Sequence, residues 1–193
     1  MSKAFCWVDL ETTGLSYIAD DVLEIGIVIT DFHFRPKVNI HRLVKPERLL
    51  QVPYMEQVVF DMHEASGLLE ALNGANLLRS IHELDVEISD ILRRVFEEEG
   101  FDCVMLAGNT VHFDKGFIDA WMPLTAALMH YRLFDVRTLQ TFAEICGTEI
   151  DNPKVQPEHR SMNDINTSLN FMRKFYMPFE ETSLHAEHLV KIL

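Results

Sequence analysis

Four acidic residues and one histidine stand out by where they fall. Asp9 and Glu11 lie two residues apart in the segment D-L-E-T-T-G-L, directly after an apolar run. Side chains at i and i+2 of a strand project to one face, which brings the two carboxylates close enough to share a metal ion. Hard divalent cations such as Mg²⁺ and Mn²⁺ take oxygen ligands of this kind. A solvated strand end explains a lone acid pair as well, in a chain with 30 Asp and Glu residues. Asp114 closes the segment G-N-T-V-H-F-D. Placed just after a buried strand, it projects into the same cleft, or else sits at a helix start where the macrodipole favours an acid. His159 and Asp164 come last, in H-R-S-M-N-D. On a single helix that spacing puts them on different faces. They work together only if His159 lies in a loop and Asp164 on the helix that follows. Ser161 and Asp164 also fit the S-x-x-D capping pattern, which by itself explains the acid as support for a helix start.

The elements that must position these residues follow from pattern. Ala4 to Asp9 reads as a buried strand, Thr12-Thr13-Gly14 as a turn, Val22 to Thr30 as a second strand and Asn39 to Val44 as a third. Short links make the three neighbours and antiparallel. Lys45 to Pro53 reads as a loop. Apolar residues at Ile81, Leu84, Ile88, Ile91, Leu92 and Val95 predict an amphipathic helix over Leu77–Glu99, ending before Gly100. Cys103 to Ala107 is a short buried strand, a helix starts near Phe113, and Leu133 to Asp135 is another strand. A helix from Asp135 to Cys146 closes at Gly147, and Thr148 to Glu158 is a loop. Ser161 to Phe175 is helical, and Thr182 to Leu193 forms a terminal helix. Three strands followed by alternating helices and strands predict a mixed α/β sheet.

Composition bounds the rest. The 193 residues suit one domain, with a core over about 4–176 and a C-terminal helical extension over about 177–193. No apolar run reaches the roughly 20 residues of a membrane span, and Met1-Ser2-Lys3 leads straight into a strand, so neither membrane association nor a signal peptide is expected. Cys6, Cys103 and Cys146 are scattered and odd in number, as expected of thiols in a reducing, cytoplasmic compartment. The formal net charge of −13 argues against a protein that tracks long nucleic acid. It leaves open a small nucleotide substrate held through bound metal ions.

The order acid-x-acid, later Asp, then His-x-x-x-x-Asp resembles the DEDDh 3′→5′ exonucleases. Within them it is close in pattern to the oligoribonucleases. The resemblance runs from Phe5 to about Tyr176 through W-V-D-L-E-T-T-G-L, H-E-A-S-G-L-L-E, G-N-T-V-H-F-D, H-Y-R-L-F-D-V-R-T-L and H-R-S-M-N-D-I. It implies a ribonuclease H-like mixed β-sheet flanked by α-helices. It also implies a homodimer that degrades short single-stranded RNA to 5′-mononucleotides. Asp9, Glu11, Asp114 and Asp164 would bind two Mg²⁺ or Mn²⁺ ions, which serve the attacking water and the departing 3′ oxygen. His159 would be the general base. Leu15 matches an apolar wedge between terminal bases, with core packing as its plain alternative. His63 and Tyr131 match positions near bases. Arg132 resembles an arginine that reaches the substrate's 5′ phosphate from the second subunit. Thr110 keeps a hydroxyl where the group has Ser, and Arg137 stands where Ser is usual, a second cation near the phosphate. Thr12 and Val58 depart from the methionine and the aromatic of the pattern. These changes leave the chemistry intact and bear on length selectivity. Two rival readings share the fold: a DNA-trimming exonuclease that needs no phosphate cap, and a catalytically silent binding module.

Overall fold

The computed structural model describes residues 2–47, 55–147 and 158–190, with side chains over residues 4–176 of those ranges. Its centre is strand β1 (Ser2–Thr12), flanked by β2 (Val22–Asp31) on one side and β4 (Phe101–Gly108) on the other. The sheet order is β3-β2-β1-β4-β5, with β3 at Pro36–Leu43 and β5 at Met129–Asp135. β1, β2 and β3 pair antiparallel, as their short links predict, while β4 and β5 run parallel to β1.

β1 is apolar on both faces because it is covered on both. Ala4, Cys6, Val8 and Leu10 belong to a core that includes Leu84, Ile88 and Leu92 of helix α3 (Ile81–Glu99). The odd residues Phe5 and Trp7 face the other way, into an aromatic core with Phe34, Phe134 and helix α7 (Ser161–Val190) through Ile165, Leu169 and Met172. Asp9 and Glu11 continue that second face, so the strand's period of two aims both acids at the start of α7. A third cluster joins Leu23 and Met55 to Leu68 and Leu72 on helix α2 (Leu68–Gly74).

Several boundaries differ from the sequence reading. α3 begins at Ile81, not Leu77, because Ser80 and Glu83 form a reciprocal capping box, and Leu77 stays exposed. Helices α1 (Gln57–Ala65) and α2, separated by Gly67 at φ 74°, have no counterpart in the sequence reading. α7 runs unbroken through Pro178, where the sequence predicts two helices. The expected Thr148–Glu158 loop lies outside the described residues except at Glu158, as do residues 191–193 of the terminal helix. α4 (His112–Trp121) and α6 (Val136–Ile145), with Asp135 capping α6, match the expected alternation, while the short α5 (Pro123–Ala126) has no counterpart in it. No helix among the described residues is long and apolar enough to cross a membrane.

Candidate active site

The acids converge from three elements. One carboxylate oxygen each from Asp9, Glu11 and Asp164 lies within 4.8 Å of the others. Asp164 comes from the first turn of α7, and its Oδ1 accepts a hydrogen bond from the Glu158 amide at 3.1 Å. Asp114, on the first turn of α4, accepts from the Leu10 amide at 2.9 Å. That amide is free because β1 pairs with β4 only as far as Trp7. Gly108 ends β4 so close to β1 that a Cβ there would meet the Val8 carbonyl at 2.8 Å.

The capping alternative for Asp164 does not describe this helix start. Ser161 Oγ is buried without a partner among the described residues, and the Ser161 amide donates to Glu24 Oε2 at 2.8 Å instead. His159 precedes the helix with φ 53°, a left-handed backbone that a non-glycine residue adopts at a cost.

Crowding of carboxylates sets the electrostatics. Burial, then the charges of Asp114, Glu11, Asp164 and Glu24, push Asp9 well above the carboxylate range. Burial, then Asp164, Glu24 and Asp114, raise Glu11 to about 8. Burial raises Asp114 to about 7, and burial also raises Asp164. The grouped oxygens of Asp9, Glu11 and Asp164 suit a divalent cation, which would relieve both burial and repulsion. A further observation fits the same group. His63 is fully buried, and its Nε2 donates to the Thr12 carbonyl at 2.8 Å. Its Nδ1 has no hydrogen-bond partner among the described residues and lies 3.8 Å from Glu11 Oε2. Burial holds this imidazole below its usual range, so Nδ1 presents a lone pair toward the acids.

These shifts give a prediction for the metal-free protein. An acid with a raised folded pKa binds its proton more tightly in the fold than in the unfolded chain. Its stabilising contribution is full below about pH 4 and is lost as pH rises toward 7 for Asp114 and 8 for Glu11. The melting temperature without divalent ions should therefore fall between pH 5 and pH 8. Mg²⁺ or Mn²⁺ should raise it by about 5 °C or more at pH 8, and by less at pH 5. A flat metal-free profile over that window would show that the carboxylates do not form one coupled cluster.

The expected substrate contacts are dispersed. Leu15 is 82% exposed on a loop fastened by Asp20, which accepts from Ser16 N at 2.9 Å and Thr13 Oγ1 at 3.1 Å. Trp121 Nε1 donates to the Tyr17 carbonyl of the same loop at 2.9 Å. His63 offers no exposed ring face, since it is fully buried beside Glu11. Tyr131 and Arg132 are ejected from the edge strand: Met105 pairs with His130 and Leu106 with Leu133, leaving the two residues between in a bulge. The Arg132 guanidinium lies 5.5 Å from the centre of the Tyr131 ring. Thr110 is exposed at φ 61° with its amide on Asp135, and Arg137 is exposed with Glu144 3.9 Å away. Sequence reasoning missed Glu24, whose carboxylate is fully buried beside Glu11 on the neighbouring strand. Burial acts to raise it, but hydrogen bonds from His41, Arg160 and the Ser161 amide outweigh that and hold it down to about 2.

The central strand of a mixed sheet thus ends in clustered carboxylates of the kind that hold divalent cations. The exonuclease family (RNase_T) matches residues 6–172. The probable oligoribonuclease of Dictyostelium discoideum is 33% identical over 179 residues, 90% of this chain and 89% of its own length. The oligoribonuclease of Streptomyces coelicolor is 30% identical, covering 91% of this chain and 86% of its own. The fold superimposes on the exonuclease I–single-stranded DNA complex of E. coli with a TM-score of 0.68 at 13% identity, over all of this chain and 45% of that one. The chain spans less than half the length of that exonuclease I. It belongs to the exonuclease family and is oligoribonuclease-like.

Proposed function

We propose that the protein is a 3′→5′ exoribonuclease that degrades very short single-stranded RNA to 5′-mononucleotides. The observation that carries this reading is the convergence of Asp9, Glu11 and Asp164 in a chain whose relatives of similar length are named oligoribonucleases. We assign two Mg²⁺ or Mn²⁺ ions to the four carboxylates of Asp9, Glu11, Asp114 and Asp164. When bound, such ions lower the pKa of a bound water and offset charge on the phosphodiester. His159 takes the water's proton. Leu15 inserts against the terminal base, and Thr110 and Arg137 line the approach. The net charge of −13 suits a substrate gripped at its ends better than a long tracked strand.

The homodimer belongs to the same proposal. β5 is an edge strand, and it exposes Tyr131 and Leu133 while α6 exposes Phe142 and Ile145. Pairing of two such faces would cover them and carry Tyr131 and Arg132 toward the partner's substrate. The free cysteines fit a cytoplasmic setting. Arg132→Ala should weaken binding of 5′-phosphorylated dinucleotides about tenfold or more, and of 5′-hydroxyl ones much less. Equal losses on both substrates would remove Arg132 from the phosphate.

The test of the whole reading is cleavage of 5′-labelled RNA of about two, five and twenty nucleotides, with Mg²⁺, with Mn²⁺ and with EDTA. Metal-dependent release of mononucleotides, fastest on the dinucleotide, supports it. Preference for the longest strand, or for matched DNA, moves the protein to a broader exonuclease. No cleavage under either metal leaves a silent binding module.

A further inference from the structure

Glu24 is a fully buried acid outside the four-carboxylate set, and its oxygens are already engaged. Oε1 accepts from Arg160 Nε at 3.0 Å, Arg160 Nη2 at 2.8 Å and His41 Nε2 at 2.8 Å. Oε2 accepts from the Ser161 amide at 2.8 Å. It thus answers one of the orphan amides at the start of α7 and the side chain just before it. Two residues along β2 on the same face, Gly26 lets α7 approach: a Cβ there would lie 2.8 Å from Ser161 Oγ and 2.9 Å from Ile165 Cδ1. From the other side, the Arg160 carbonyl accepts from the Asn163 and Asp164 amides at 2.9 and 3.1 Å. The two residues after His159 are therefore tied to β2, and His159 itself is held at φ 53°.

We infer that Glu24 is a positioning residue for His159, acting through Arg160 and Ser161 and not through a metal ion. The inference rests on the reading of His159 as the base. A chain held only at Asp164 could pivot before the helix, and the imidazole would lose its aim. The two-nitrogen contact of a guanidinium to one carboxylate oxygen, together with the amide bond, removes that freedom.

Glu24→Gln keeps the shape but sets an amide NH₂ against either Arg160 or the Ser161 amide. The expected result is a kcat lower by about 10–100-fold, with KM for a dinucleotide and Mn²⁺ affinity changed by less than about threefold. In a His159→Ala background the same change should cost nothing further, because the residue it positions is gone. Wild-type kcat in the single variant, a loss carried in KM or Mn²⁺ affinity, or an equal loss in both backgrounds would each overturn the inference. Full activity in His159→Ala alone would instead overturn the base assignment on which it rests. If Glu24→Gln does not fold, Arg160→Lys runs the same cycle from a side chain 29% exposed. It keeps the charge but not the paired contact, and a full kcat there would equally overturn the link.

Discussion

Asp9→Asn should abolish cleavage and at the same time stabilise the metal-free protein. Asp9 sits at the centre of the crowd: Asp114, Glu11, Asp164 and Glu24 all oppose its ionisation, after burial itself. An asparagine of the same shape removes that opposition and keeps a neutral oxygen in place. It also removes the charge that draws a divalent ion to the end of β1. Loss of metal-borne charge stabilisation worth several kcal/mol corresponds to a rate lower by about 10³-fold or more. Meanwhile the melting temperature at pH 8 without metal should rise, its fall from pH 5 to pH 8 should flatten, and the gain from Mg²⁺ should shrink. Calorimetry at both pH values, with and without metal, reads all three. An active Asp9→Asn protein, or one whose metal-dependent gain is unchanged, would take Asp9 out of the cation site. Opposite signs for activity and stability are what an electrostatically strained functional site produces.

Much of this site was legible because its signals are local. Asp9 and Glu11 declare themselves through the period of a strand, and the apolar run before them marks that strand as buried. Asp114 follows a buried strand and a Gly-Asn turn, an order that allowed either a place in the cleft or a helix start, and it stands in the first turn of α4 with its Oδ1 on the Leu10 amide. His159 and Asp164 needed a loop followed by a helix, and the helix begins between them at Ser161. Glu24 was not legible. In L-E-I-G-I-V-I-T a glutamate reads as a polar position on a strand, while its partner Arg160 is 136 residues away. The bulge at Tyr131 and Arg132 is set by pairing of β5 with β4, which no spacing within β5 reveals. α1 and α2 escaped for a related reason. Their apolar residues, Leu68 and Leu72 among them, pack on Leu23 and Met55 and do not repeat long enough to mark a helix. α7 is continuous through Pro178, where sequence alone places a break before the proline, and its described packing lies at its start, along Ile165, Leu169 and Met172.

His159→Ala should fold, bind substrate and divalent ions, and turn over about 10²–10⁴ times more slowly. The residue is half-buried and ahead of α7, so its side chain contributes little to either core. The anchors that fix this segment are the Arg160 and Ser161 contacts to Glu24, and alanine at position 159 leaves them intact. Alanine inherits the left-handed backbone at φ 53°, as the histidine does, so the change adds little new conformational demand there. What is lost is an acceptor for the water's proton. The residual rate should then increase with pH as hydroxide replaces the missing base, and added imidazole should restore part of it. Single-turnover cleavage of a labelled dinucleotide, with binding measured separately, distinguishes this from loss of affinity. A rate near that of the unaltered protein would assign the proton to another group. His63 is the first to examine, because its Nδ1, without a hydrogen-bond partner among the described residues, lies 3.8 Å from Glu11 Oε2.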